Sequence, residues 1–266
     1  MAARGVWSCR LVDGVVNSDE RSRMRALGLI LGRAGSKGLP GKNLAMIAGR
    51  ECVRWTIDDA VQAKSLARLA LSSDSVELQR IALESGLDAV ARPDELASDK
   101  ATVDAAARHA VESLGDDGLD SVVILYANAP VRPPGLIDRA VRIFEETGAD
   151  SVQSYAPVGK HHPWWMARVD PSSGRVDPWE GDVLNKGVYR RQELPPAFVP
   201  DGGVLVVRRR ALFLEVDGVD RSSPHAFFGR EMRGVINEAG AVVDIDDRID
   251  LLVADAILRE RTSGVL

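Results

Sequence analysis

The sequence predicts an α/β fold, a doubly wound, mostly parallel sheet. From residue 26 onward, short apolar runs alternate with segments of helical period, the pattern of repeated βα units. The runs are apolar throughout, as in Val122-Val-Ile-Leu-Tyr126, which suits strands covered by helices on both faces. A length of 266 residues agrees with one large α/β domain, near the upper limit for a single core.

Leu27–Leu31 reads as a buried strand running into a glycine-rich turn. Val53–Ala63 follows as a helix, Leu66–Ser72 as a strand and Val76–Glu84 as a second helix. Leu87–Ala91 is a strand ended by Arg92-Pro93, and Thr102–Leu114 is helical. After the strand at Val122–Tyr126, Pro133-Pro134 opens a helix running to Thr147. Leu136, Ile137, Ala140, Val141 and Phe144 form its apolar stripe, with Gly148 just past its end. Ser151–Ala156 is the next strand. Pro157, Pro163, Pro171, Pro178, Pro195, Pro196 and Pro200 then break up any long element, so a loop-rich insertion is expected over about 157–201. Gly203–Arg208 and Ala241–Ile245 read as strands. Asp247–Arg261 is the last helix, with Ile249, Leu252, Val253, Ala256 and Ile257 expected on its inner face. Residues 1–24 carry no periodic structure and are expected to be a disordered extension, unless translation starts at Met24 and residues 1–23 are not part of the protein. Residues 25–266 are expected to form the single working domain.

Composition narrows the function. There are 34 Lys and Arg against 39 Asp and Glu, a net charge of −5. Such a balance disfavours broad nucleic-acid binding, which needs a basic face. No apolar run approaches the roughly 18–20 residues that span a bilayer, so no membrane partner is expected. Cys9 and Cys52 give neither a disulfide framework nor a CxxC pair, so a cytoplasmic location is expected.

In a doubly wound sheet, ligands bind beyond the carboxyl ends of the strands. The loop after the first strand reads Gly32-Arg-Ala-Gly-Ser-Lys-Gly-Leu-Pro-Gly-Lys-Asn43. It has four glycines, the cations Arg33, Lys37 and Lys42, and no acid. Glycines let backbone N–H groups approach an anion, and the cations neutralise it. This is phosphate-binding chemistry, although a flexible basic turn has the same composition. It is not a Walker A loop, because Ser36 and Asn43 stand where that motif needs glycine and Ser or Thr.

The order of residues says more. This loop resembles the opening signature of the acylneuraminate cytidylyltransferases, the CMP-sialic acid synthetases: A-R-x-x-S-K-G-(L or I)-P-x-K-N. Arg92-Pro-Asp-Glu-Leu-Ala-Ser-Asp99 is similar to that family's R-P-x-E-L-A-x-D. Leu125-Tyr-Ala-Asn-Ala-Pro-Val-Arg132 stands at its L-Q-P-T-S-P-L-R, with the Q-P-T-S core replaced. His161-His162-Pro163, Arg191-Gln-Glu-Leu-Pro195, Pro200-Asp-Gly202 and Asp244-Ile-Asp246 resemble its H-H-P, R-Q-(D or E)-L-P, P-N-G and D-I-D. The resemblance covers about residues 25–260 in the right order. It implies a Rossmann-like nucleotide-diphospho-sugar transferase fold and transfer of CMP from CTP to a 2-keto nonulosonic sugar acid, with release of pyrophosphate. It also implies a homodimer formed through the inserted segment.

Residue by residue, the resemblance places Arg33, Ser36 and Lys42 on the triphosphate. Asn43, Arg92, Asp99 and Thr102 fall where cytosine and ribose are recognised. Asn43 could equally be a turn residue or helix cap, and Arg92 a surface charge near Asp94. Asp244 and Asp246, two apart on an expected strand, would share one face about 6–7 Å apart. They could hold Mg²⁺ with help from waters and phosphates, or be a solvated strand end in which Asp246 or Asp247 caps the last helix. Arg33, Lys42, Asp244 and Asp246 are thus the catalytic candidates. Arg191 suits a sugar carboxylate. Gln192, His162, Tyr126 and Asn128 are expected near the sugar, and His161 and His162 could instead serve packing. Trp164 and Trp165 could be core or partner surface. The replaced Q-P-T-S core points to a different nonulosonic acid or another acceptor. Open alternatives are a nucleotidyltransferase of the same fold using another acceptor or NTP, and a homologue that binds nucleotide without catalysis.

Overall fold

The computed structural model describes residues 24–115 and 118–264. Its centre is a seven-stranded sheet: β1 (Ala26–Leu31), β2 (Leu66–Ser73), β3 (Asp88–Ala91), β4 (Ser121–Tyr126), β5 (Ser151–Pro157), β6 (Phe198–Arg208) and β7 (Met232–Ile236). The strand order is β7-β5-β6-β4-β1-β2-β3. β1 pairs in parallel with β2 and β4, β2 with β3, and β5 with β7. Only β6 runs antiparallel to its neighbours β4 and β5. The doubly wound, mostly parallel sheet read from the sequence is therefore present.

Period two explains the two buried faces of β1. Ala26 and Ile30 point to one side, where α1 (Cys52–Gln62), α2 (Val76–Glu84) and α4 (Leu136–Thr147) pack through Val53, Ile57, Leu78, Ile81, Val141 and Phe144. Leu27, Leu29 and Leu31 point to the other, where α3 (Val103–Leu114) contributes Ala106, Ala107, Ala110 and Val111. The stripe foreseen on α4 is buried as a unit, and Gly148 ends that helix in the left-handed conformation.

Chain order fixes where a ligand can sit. From β1 the chain moves outward through β2 to β3, then returns through α3 to β4 on the other side of β1. The carboxyl ends of β1 and β4 therefore flank a topological switch point, where connections diverge and leave a crevice.

The C-terminal part corrects two expectations. Residues 241–245 do not form a strand: Val243 makes a single antiparallel bridge with Val131. The sheet position is taken instead by β7, whose Met232-Arg-Gly-Val-Ile sequence is mostly exposed and has no apolar run to reveal it. The last helix, α5 (Arg248–Ser263), buries Ala254 and Leu258, with Leu251 and Ile257 half-buried beside them. Ile249, Leu252 and Val253 are exposed. The stripe chosen by tertiary packing is the one facing Ile47, Val131 and Ile245; the apolar content of the helix exceeds what that neighbour covers. Asp247 caps the helix in a reciprocal box with Asp250, as one alternative foresaw.

Residues 157–201 contain a small hairpin of their own, Ala167–Val169 with Val176–Pro178, and several single-turn helices. Met24 packs against the main core; the rest of the expected N-terminal extension lies outside the described residues.

Candidate active site

A cavity of about 250 Å³ opens at the switch point. Leu31, Gly32 and Arg33 line it from the end of β1, and Lys42 and Asn43 from the following turn. Arg92, Asp99 and Thr102 come from the segment after β3, and Tyr126 and Asn128 from the end of β4. Residues scattered through the first half of the chain thus meet because three parallel strands end together.

The loop after β1 is held by its own side chains. Asn43 Nδ2 donates to the Arg33 carbonyl at 2.8 Å. Its Oδ1 is buried without a protein partner, and a buried acceptor left unpaired is costly. That orphan marks Asn43 as more than a turn residue, and no helix cap uses it. Gly38 lies against the carbonyl of Asp246 so closely that an added Cβ would overlap it. Close backbone approach, rather than flexibility, requires glycine there.

The cations of the loop each face an acid. Arg33 Nη1 and Lys37 Nζ both reach Asp99, on Oδ1 and Oδ2, at 2.7 Å. The hydrogen bonds from Lys37 and Arg33 hold the Asp99 carboxyl below its usual range. Lys42 Nζ meets Asp246 Oδ1 at 2.8 Å; the lysine side chain is 15% exposed and the aspartate 78%. Arg92 is buried, not paired with Asp94. Its Nε donates to Ser72 Oγ at 3.1 Å and its Nη2 to the Ser72 carbonyl at 2.6 Å. Burial pulls its pKa down, while the charge of Asp74 pushes it up. Thr102 caps α3 through Oγ1, which accepts from Ala105 N. Ser36 is half-buried and stands outside the cavity lining.

Two carboxylates outside the lining are each bonded to a residue of it. Asp246 is tied to Lys42. Asp244 Oδ1 accepts a hydrogen bond from Asn128 Nδ2, which also donates to the Ile245 carbonyl at 3.0 Å. On the far side, a Cβ added to Gly202 would lie 3.2 Å from Asp244 Oδ2, and the glycine has φ +74°. Burial, then the charge of Asp246, pushes the Asp244 carboxyl up to about 6, against the pull of Lys42 and Arg132. A buried carboxylate with a like charge nearby favours a cation. Among the described residues no group of three or more His, Cys, Asp or Glu could hold a metal ion. A divalent ion fits Asp244 and Asp246 only as one that takes its remaining oxygens from phosphate and water, the habit of Mg²⁺.

Arg132 was not singled out as a site residue, yet it braces this wall. Its side chain is buried, with Nε on the Gly203 carbonyl at 2.7 Å and Nη2 on the Tyr126 carbonyl at 3.2 Å. Its Nη1 reaches Thr56 Oγ1 at 3.0 Å, the Ala129 carbonyl at 2.5 Å and Asp59 at 3.5 Å. The Arg132 side chain therefore ties the turn after β4 to β6. The sequence signal for it was its match to the last residue of the L-Q-P-T-S-P-L-R segment. Cys52 sits close by, buried, with its thiol pushed up to about 12 by burial, which makes it inert.

The residues expected near a sugar divide into two groups. Tyr126 and Asn128 line the main cavity. His162 and Arg191 line a separate one of about 300 Å³, together with Val158, Leu194 and Phe198. His162 uses both ring nitrogens on backbone: Nε2 donates to the Pro195 carbonyl at 3.1 Å and Nδ1 accepts from Trp164 N at 3.1 Å. That assignment of the proton follows from the two partners. Among the described residues, no carboxylate pairs with Arg191. Gln192 is exposed in the turn beside it.

A cytidylyltransferase family profile matches residues 27–164. The chain is 35% identical over 243 residues to the CMP-N,N'-diacetyllegionaminic acid synthase of Legionella pneumophila, a match covering 88% of this chain and 97% of that protein. It is 30% identical over 194 residues to an N-acylneuraminate cytidylyltransferase of Streptococcus agalactiae, covering 72% of this chain and 45% of that one. The chain thus spans about half the length of these streptococcal relatives. Among solved structures, a CMP:2-keto-3-deoxy-manno-octonic acid synthetase complexed with CTP superposes with a TM-score of 0.63 at 17% identity, covering 91% of this chain and 100% of that one. At that identity the likeness is one of fold.

Proposed function

Because the chain belongs to the cytidylyltransferase family, we propose that it activates a nonulosonic, sialic-acid-like sugar acid with CTP, giving a CMP-sugar and pyrophosphate. The observation that carries this is the convergence on one cavity of Arg33, Lys42, Asn43 and Arg92, with Asp244 and Asp246 each bonded to a residue of its lining. The name of the legionaminic acid synthase, matched over most of both chains, supports the acceptor class.

In the proposed reaction, the anomeric hydroxyl oxygen of the sugar acid bonds to the α-phosphorus. The bond from that phosphorus to the bridging oxygen breaks, and its electron pair leaves with pyrophosphate. The hydroxyl proton passes to solvent. Asp99 is the counter-ion of Arg33 and Lys37, and Asp246 that of Lys42. A triphosphate entering the cavity takes over as partner, so these cations are already placed where charge builds up. The guanidinium of Arg33 can fork onto two phosphate oxygens, while Lys42 supplies a point charge. Asn43 Oδ1 is the free acceptor for an amino group, as cytosine presents. Asp244 and Asp246 would hold Mg²⁺, which would supply positive charge for the phosphates and Lewis-acid activation of the attacking hydroxyl. Ser36 and Thr102 complete the nucleotide side, and Tyr126 the sugar side.

Arg191 is the proposed partner of the sugar carboxylate. It lies in the second cavity, on an insertion whose apolar side chains are exposed, with Tyr189 at 83% and Val183 at 61%. An exposed apolar patch on an otherwise polar surface fits an interface, which supports a homodimer formed through residues 157–201. The free thiol of Cys52 suits a reducing compartment, and we place the reaction in the cytoplasm. Release of pyrophosphate from a panel of nucleoside triphosphates with a panel of sugar acids tests the whole proposal. CTP with a nonulosonic acid should give the highest kcat/KM. Absence of pyrophosphate with every pair would overturn it. Sedimentation of the protein before and after Val183→Glu tests the interface, and a wild-type monomer would refute it.

A further inference from the structure

We infer that Asn128 is a positioning residue that fixes the Asp244 carboxylate for the nucleotide-bound cation, not a contact to the sugar. This rests on the proposed role of Asp244 above. A metal-binding carboxylate needs a fixed orientation, and in a strand the ladder supplies it. Here no ladder does, since the one β-bridge of residues 241–245 is the isolated Val131–Val243 pair, outside the strands of the sheet. Asn128 replaces that support. Its carbonyl accepts from Ile245 N at 2.8 Å, and its side-chain amide donates to the Ile245 carbonyl at 3.0 Å and to Asp244 Oδ1. Three bonds from one residue thus fix the backbone and one carboxylate oxygen of the same short segment.

The other oxygen, Oδ2, faces the backbone of Gly202. Both walls of the slot are held from behind by Arg132, which takes the carbonyls of Tyr126 and Gly203. Both amide hydrogens of Asn128 are engaged, on Asp244 and on the Ile245 carbonyl, so the amide nitrogen is committed to this segment and only Oδ1 is left to meet a ligand.

Asn128→Leu keeps the volume and removes the donors, and Asn128→Ala removes both. Mn²⁺ binding is read as the enhancement of water-proton relaxation over that of the same Mn²⁺ and CTP without protein. Steady-state kinetics give kcat and the KM for the sugar acid, and thermal unfolding checks the fold. Losing the outer partner of a metal carboxylate costs about tenfold to a hundredfold in metal affinity. Both variants should weaken Mn²⁺ binding by that factor and lower kcat, with the sugar-acid KM within about twofold of wild type. Unchanged Mn²⁺ affinity would overturn the inference, and a raised sugar-acid KM alongside it would return Asn128 to the sugar. If wild-type protein with CTP takes up no Mn²⁺, the metal role of Asp244 fails and this inference with it.

Discussion

The cavity at the ends of β1 and β4 and the inserted segment 157–201 are built on opposite terms. In the first, nearly every polar group has a partner. Arg33 and Lys37 share Asp99, Lys42 meets Asp246, Arg92 is spent on Ser72, and Asp244 is clamped by Asn128. In the second, Arg191 has no carboxylate partner among the described residues, and Trp179, Val183, Leu184 and Tyr189 are exposed. The first region inherits order from the sheet, since loops that leave adjacent parallel strands start from fixed points. The second has a two-strand hairpin and single turns, and a hairpin of two strands is marginal without further packing. The proposed nucleotide side is thus preorganised and the proposed acceptor side incomplete, and the proposed dimer would complete the second.

The sharpest way to break the contrast is to remove a charge from the ordered side. Asp246→Ala frees Lys42 and deletes one proposed metal ligand. Turnover should fall by roughly a thousandfold, since metal assistance supplies several kcal/mol, with the thermal midpoint little changed. Near-normal Mg²⁺-dependent pyrophosphate release would remove Asp246 from the mechanism. On the other side, Arg191→Ala should raise the KM for the sugar acid by about tenfold to a hundredfold, the worth of a charge-assisted hydrogen bond. The KM for CTP should hold. An equal rise in both constants would mean that the two regions are not separate in function.

A smaller effect is expected from Gly202→Ala. The residue has φ +74°, and its new Cβ would press on Asp244 Oδ2 at 3.2 Å. A left-handed alanine costs about 1 kcal/mol, a drop of roughly 2–4 °C in thermal midpoint. Turnover should fall by about tenfold as the carboxylate shifts. A stability loss with full activity would show that the slot tolerates movement. Asp244→Asn is read through the stability of the metal-free protein rather than through turnover. The folded carboxyl is pushed up to about 6 from the ordinary 3.8. Between those values the folded protein holds more protons than the unfolded chain, so stability falls as pH rises through that window. Replacing the acid should therefore stabilise the metal-free protein by about 1–3 kcal/mol at pH 7. A melting curve with no gain at pH 7, or a gain equal to that at pH 4, would contradict the burial of this group as a charge.

Much of the first half was legible without a structure. The strands β1 and β4 were visible as apolar runs, and α4 by its stripe and by Gly148. The loop of Arg33 and Lys42 declared its chemistry by having cations and glycines with no acid. The second half was harder to read for a physical reason: its elements are exposed on at least one side. β7 has no apolar run, residues 241–245 have one but form only an isolated bridge, and α5 offers two apolar stripes of which only one is covered.

By itself, the sequence determined what local periodicity and residue chemistry encode: the parallel sheet, the cationic loop and the two acids at 244 and 246. Tertiary structure alone decided how those charges are balanced and what each side chain is left free to do. It placed Asp99 on Arg33 and Lys37, 62 and more residues away in the chain, and bonded Asn128 to Asp244. It put His162 and Arg191 in a cavity apart from the loop. Such pairings depend on strands that come together only after folding, so no spacing within the chain records them.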